Sequence, residues 1–195
     1  MDYLARTISY VANPVILLLP VPFLLVYKST QDMWYAIKWA AFSWVFVLMV
    51  AIFVMVAVLK GIFTDFDVSR REQRPLLFLF SSVTAVLYTG SLFLLHGPKI
   101  LYVAILGILI GIFFISLINI KVKASIHVAT MSALITAISI LYGGFYLALL
   151  VFIPVIAWAR IRIKRHTPRE AFIGALTGSV LTCVLYLVLE WVLHV

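Results

Sequence analysis

Between Trp34 and Leu59 the sequence carries a single charged residue, Lys38. A run of that length can satisfy its backbone out of water only as a helix within a bilayer. Crossing a hydrocarbon core of ~30 Å takes about 20 apolar residues, and comparable runs recur at Leu76–Leu95, Ile100–Ile120 and Ala171 to Leu193. Composition agrees: 65% of the 195 residues are apolar and 11% charged, against roughly half and a quarter in soluble domains. Seven acidic and fifteen basic residues cannot wet the surface of a soluble sphere of this size. A soluble enzyme, a DNA-binding protein and a disordered tail are thereby excluded, and no nucleic-acid partner is expected. The expected fold class is all-α, a polytopic transmembrane helical bundle formed as a single integral membrane domain over residues 1–195. The lone cysteine, Cys183, lies in an apolar run, so neither a disulfide framework nor a thiol-based metal site is expected.

Six or seven spans follow from the pattern. Val11 to Tyr27, interrupted by Pro14, Pro20 and Pro22, reads as a retained and kinked first segment, since no small-residue cleavage site follows it. The stretch Val128 to Ala159 is divided by Gly143-Gly144 into two spans of about 16 residues, both short for a bilayer. Three polar clusters punctuate the chain: Thr64 to Pro75, Lys121 to His127 and Arg160 to Glu170. Two spans separate the first from the second, and two the second from the third. All three are therefore expected on one face of the membrane. The other face receives Lys28 to Lys38, the His96-Gly97-Pro98-Lys99 turn, the double glycine and the C-terminus.

With Lys60, the three clusters hold eleven of the fifteen basic residues. The topological reading is the positive-inside rule, which makes the motif face cytoplasmic. That rule alone does not account for two of the four histidines, a Ser-x-His and an Arg-Pro pair among the bases. Arg supplies forked donors, Lys a point charge and His a nucleophile or proton, a combination suited to phosphate. Ser125 is in position to cap the following span, which puts His127 in a first helical turn where an anion can dock. Thr167-Pro168-Arg169-Glu170 reads as cap, N1, N2 and N3, so His166 also stands just before a helix start. The pairs Gly107/Gly111 and Gly174/Gly178 read as helix-packing positions, and His96 and His194 as inert residues at a loop and a terminus.

These residues resemble the type 2 phosphatidic acid phosphatase (PAP2) superfamily of membrane lipid phosphatases, over about residues 65–180. That family's pattern is Lys-x6-Arg-Pro, Pro-Ser-Gly-His and Ser-Arg-x5-His-x3-Asp. This chain has Arg74-Pro75 with Asp67 at the lysine position. Its second motif is Ala124-Ser125-Ile126-His127, and its third runs from Ala159-Arg160 through His166 to Glu170 with the family's spacing. The resemblance implies a metal-independent phosphatase, without cofactor, that works through a phosphohistidine on a lipid phosphate substrate. By position His166 would be the nucleophile, oriented by Glu170, and His127 would protonate the leaving oxygen. Arg74, Arg160 and Ser125 would hold the phosphoryl oxygens. Arg70, one helical turn before Arg74, Arg71 or Lys123 would replace the missing lysine charge. Glu170 could equally be the N3 half of a capping box with Thr167.

Two other readings stand beside this one. Asp65-Phe66-Asp67 before Arg74-Pro75 is similar to the magnesium-binding loop of intramembrane prenyltransferases, although the only other aspartates are Asp2 and Asp32. A non-catalytic protein that binds or transports lipid phosphates would also fit the changes at positions 67, 124, 126 and 170. The charge bias makes the motif face cytoplasmic, whereas the family would often place such a site outside. Isoprenoid diphosphates, phosphatidate and phosphatidylglycerophosphate all suit a site enclosed by apolar helices. The sequence does not determine the oligomeric state.

Overall fold

The computed structural model describes residues 1–193, and His194 lies outside the described residues. All the regular secondary structure is helical: α1 Asp2–Val11, α2 Pro14–Leu18, α3 Val21–Thr30, α4 Met33–Leu59, α5 Arg74–Leu94, α6 Lys99–Lys121, α7 Ile126–Tyr142, α8 Phe152–Arg162 and α9 Pro168–Leu193. Two 3₁₀ stretches, Arg71–Gln73 and Gly144–Val151, lead into α5 and α8. Among the described residues, five segments are long and apolar enough to cross a membrane: α4, Arg71–Leu94, α6, Gly144–Arg162 and Pro168–Val188. A sixth is added if the N-terminal helices, bent by 48°, count as one crossing. This is the build of a multi-pass membrane protein.

The first apolar segment differs from its expectation. Helix begins at Asp2 rather than near Val11, and it breaks twice, at Ala12-Asn13 and at Leu19-Pro20. Proline has no N–H to continue the ladder, so each break leaves carbonyls needing donors. Trp44 meets one of them, its indole N–H donating to the Leu19 carbonyl at 2.7 Å. The double-glycine break falls where expected, with Gly143 at φ +110°, a conformation glycine adopts most readily. The segment after it is not short. Eight residues of 3₁₀ helix, rising about 2.0 Å each, bring Gly144–Arg162 to roughly the ~30 Å of a hydrocarbon core. Helix α7 is apolar but, with 17 residues, shorter than those five segments.

The chain divides into two compact units. A central unit holds Leu18–Ser116, and a terminal unit holds Met1–Leu17 with the chain from Leu117 onward. In the central unit Val26, Ala36, Trp39, Ala85, Tyr88, Leu92, Leu101 and Ile105 form the core. The Ser43 hydroxyl bridges α4 to α5 through Tyr88 Oη at 2.7 Å. Asp32 caps α4 by accepting from Tyr35 N–H at 2.9 Å.

In the terminal unit α1 packs on α8 and α7 lies along α9. Ala12, Val128, Ile156 and Ala171 meet at its core. Glycines allow α7 and α9 to approach closely: a Cβ at Gly174 would lie 2.5 Å from the Ser125 carbonyl oxygen, and one at Gly178 would collide with that of Ala129. The Gly174/Gly178 pair thus packs as expected, whereas a Cβ at Gly111 would meet open space. Deeper in the same interface Ser132 Oγ bonds the Ala175 carbonyl at 2.7 Å and Ser179 Oγ at 2.6 Å. These hydroxyls satisfy one another within the interface of α7 and α9.

Candidate functional site at the polar end of the terminal unit

The third motif is shaped by the end of one helix and the start of the next. Helix α8 ends in a reversal in which Lys164 adopts φ +58° and Arg165 N–H returns to the Arg160 carbonyl at 3.0 Å. A left-handed residue just past a helix closes the last turn and redirects the chain. His166 N–H reaches the same carbonyl at 3.3 Å. Thr167 then opens α9 with a reciprocal cap: its Oγ1 accepts from Glu170 N–H at 3.3 Å, and Glu170 Oε2 accepts from Thr167 N–H at 3.1 Å. The same Oε2 lies 3.0 Å from His166 Nδ1. One carboxylate oxygen therefore serves both roles that the sequence left open, cap and histidine partner.

The consequence for His166 is chemical. A ring nitrogen facing a carboxylate carries the proton, so neutral His166 holds N–H at Nδ1 and keeps its lone pair at Nε2. The His166 side chain is 1% exposed and that of Glu170 21%, so the bond is largely shielded from competing water.

The second motif meets the third directly. Ser125 N–H donates to the Glu170 carbonyl at 3.1 Å, placing the starts of α7 and α9 side by side. The second and third clusters thus meet at one end of the terminal unit. Ser125 occupies the N-cap position with extended backbone, φ −79° and ψ 107°. The expected capping bond is not made: its Oγ is fully buried and has no hydrogen-bond partner among the described residues. The Ser125 backbone is bonded on both sides, N–H to the Glu170 carbonyl and carbonyl to Ala129 N–H. Leaving a buried hydroxyl unsatisfied costs about 1–3 kcal/mol. His127, in the first turn of α7, is buried at 4% exposure.

Arg160 is 1% exposed, and removing a guanidinium from water costs several kcal/mol unless its donors are bonded. One donor, Nη1, reaches Ser9 Oγ at 2.6 Å. Ser9, with Ala5 and Ala12, forms the buried small-residue face of the N-terminal helix. The sequence reading missed Ser9 because it started the first span near Val11. The spacing of Ala5, Ser9 and Ala12, along Asp2–Val11 and its C-cap, was the available signal. A second link, Arg162 Nε to Asp2 Oδ1 at 3.0 Å, puts the N-terminus beside the third cluster. That pair is exposed and contributes little.

Beside these groups, Lys123 is half-buried just before α7. On α8, Pro154, Ala157, Trp158, Ile161 and Arg162 line an open groove of about 410 Å³, apolar except at its Arg162 end.

The first motif belongs to the central unit. Arg74, at the start of α5, is 2% exposed and donates from Nε to the Val68 carbonyl at 3.3 Å. That carbonyl is presented by a tight loop in which Val68 itself takes φ +45°, an unfavourable conformation for a β-branched residue. Asp65 Oδ1 holds the loop by accepting from Asp67 N–H at 3.0 Å, Ser69 N–H at 3.3 Å and Ser69 Oγ at 2.9 Å. The aspartate weighed as a metal ligand is thus a turn-former. Arg70 does not stand one helical turn before Arg74, because its backbone is extended and a 3₁₀ turn intervenes; it is exposed where Arg74 is buried. Of the eight residues singled out for catalysis and phosphate binding, His166, Glu170, Ser125, His127, Arg160 and Lys123 belong to the terminal unit. Arg74 and Arg70 belong to the central one.

Compared with protein-family models, curated proteins and solved structures, the chain matches none of them.

Proposed function

We propose that this protein is a membrane phosphatase that removes phosphate from a lipid phosphate or diphosphate through a phosphohistidine on His166. The observation that carries the reading is the bond between His166 Nδ1 and Glu170 Oε2 at 3.0 Å, which leaves Nε2 as the attacking atom. Nε2 forms a bond to phosphorus as the phosphorus–oxygen bond to the lipid breaks, and His127 gives the departing oxygen its proton. Water then attacks the phosphohistidine, His127 takes a proton from it, and inorganic phosphate leaves with His166 restored. Arg160, the Ser125 hydroxyl and the amides at the start of α7 supply donors for the phosphoryl oxygens, with Lys123 as a further cation. Positioning and charge carry this chemistry, and it calls for no cofactor.

The resemblance to the type 2 phosphatidic acid phosphatase superfamily supports the same assignment through the Arg-x5-His-x3-acid spacing. On this reading α7 and the bent N-terminal pair also cross the membrane, giving a bundle of six to seven spans with the site at one surface. The apolar groove on α8, with Arg162 at its end, suits an aliphatic tail. Charge bias puts this surface in the cytoplasm.

The test is phosphate release by detergent-purified protein in EDTA from isoprenoid diphosphates, phosphatidate and phosphatidylglycerophosphate, with His166→Ala alongside. Release that persists in EDTA and is lost in the variant is expected. Release from none of the three would replace the phosphatase with a lipid-phosphate binder. Turnover only with magnesium would favour the prenyltransferase.

A further inference from the structure

The buried face of α1 has no part in the motifs, yet it supplies a bonding partner to the one arginine they place in the terminal unit. We infer that Ser9 is a positioning residue for phosphoryl transfer, fixing the guanidinium of Arg160 from the N-terminal helix; this rests on the phosphatase reading above. Arg160 Nη1 donates to Ser9 Oγ at 2.6 Å, with Ser9 6% and Arg160 1% exposed. A short, charge-assisted bond shielded from water is among the stronger ones a side chain can make. It also constrains orientation, because the guanidinium is planar and a bond at one Nη restricts the directions in which the other donors point.

The rest of the arginine's setting favours a role beyond packing. Its backbone carbonyl receives His166 N–H at 3.3 Å and Arg165 N–H at 3.0 Å, so the residue that Ser9 grips also anchors the turn carrying the nucleophile. Ala5 and Ala12 flank Ser9 and bring α1 against α8 without bulk, leaving the hydroxyl as the polar group on that buried face. The exposed side of α1 presents Tyr3, Leu4, Tyr10 and Val11 together with Arg6 and Thr7. Were Ser9 needed only to satisfy a buried charge, its loss would lower stability and leave the transfer step alone. A positioning role makes a different forecast, because a guanidinium acts on the transition state through its orientation.

The experiment is a double-mutant cycle on full-length protein in detergent, reading phosphate release and the protection against heat given by orthovanadate, a mimic of the five-coordinate phosphoryl group. Ser9→Ala is expected to lower kcat/KM about ten-fold or more and to weaken vanadate protection, with Ser9→Thr restoring most of both. In an Arg160→Lys background, which lacks the fork, Ser9→Ala should have little further effect. An equal fall in both backgrounds, or a Ser9→Ala protein as active as the parent, would overturn the inference. If Ser9→Ala does not fold, the near-isosteric Ser9→Cys replaces it, and full activity with the poorly accepting thiol would overturn the inference equally. A parent protein that neither releases phosphate nor responds to vanadate would sink the phosphatase reading and the role of Ser9 together. An active parent indifferent to Ser9 removes the positioning role alone.

Discussion

At the scale of residues, Glu170 holds the third motif together, and its two bonds can be separated. Gln is also a good N3 capping residue, so Glu170→Gln should leave the start of α9 stable to within about 1 kcal/mol. Loss of the carboxylate removes the group that fixes the His166 tautomer. Substituting the carboxylate behind a catalytic histidine costs several orders of magnitude in a comparable triad, and a loss of about a hundred-fold or more in kcat is expected here. Thr167→Ala is the converse: it should lower stability by about 1 kcal/mol and leave turnover of the folded protein within a few-fold. Thermal denaturation and phosphate release on the two variants check the pair. Matching losses of activity would mean that the carboxylate acts only as a cap.

At the scale of elements, the meeting of α7 and α9 sets the relation between the second and third motifs. Gly174 lies against the carbonyl of Ser125, so a methyl group there has no space unless one helix backs away. Gly174→Ala is expected to cost about 1–3 kcal/mol, the range for overpacking. It should also depress kcat, because the start of α7 carries Ser125 and His127. Gly111→Ala is the control: open space surrounds that position within α6, and Ala is the better helix former by up to about 1 kcal/mol. No loss of stability or activity is expected from it. Equal tolerance at both positions would show that close approach of α7 and α9 is not required.

At the scale of the whole molecule, the basic residues of the three clusters make a prediction about sidedness. Lys164 is exposed in the turn before His166, so Lys164→Cys in a Cys183→Ser background reports the face bearing the site. The positive-inside rule predicts no labelling by an impermeant thiol reagent in intact cells and full labelling after permeabilisation. Labelling of intact cells would put the site outside and make the bases substrate-binding rather than topological.

Much of this organisation was legible because its causes are local. Helical spans follow from uninterrupted apolar runs, the break at Gly143 from glycine's freedom of backbone, and the start of α9 from Thr167-Pro168 followed by Glu170. The approach of Glu170 to His166 follows from four-residue spacing at a helix start. Other features depend on chain segments distant in sequence, and no local pattern specifies them. Ser9 and Arg160 are 151 positions apart and meet only because α1 packs on α8. The starts of α7 and α9 lie side by side through the bond from Ser125 N–H to the Glu170 carbonyl, 45 positions on. Arg70 and Arg74 part company because the loop around Asp65 turns the chain before α5 begins. The sequence by itself determined a helical membrane protein with two histidines at helix starts, since periodicity, capping and hydrophobicity act within a few residues. Tertiary structure alone decided which buried polar atoms hold the arginine and which hydroxyl stays open, because those choices depend on what other segments bring within 3 Å or so.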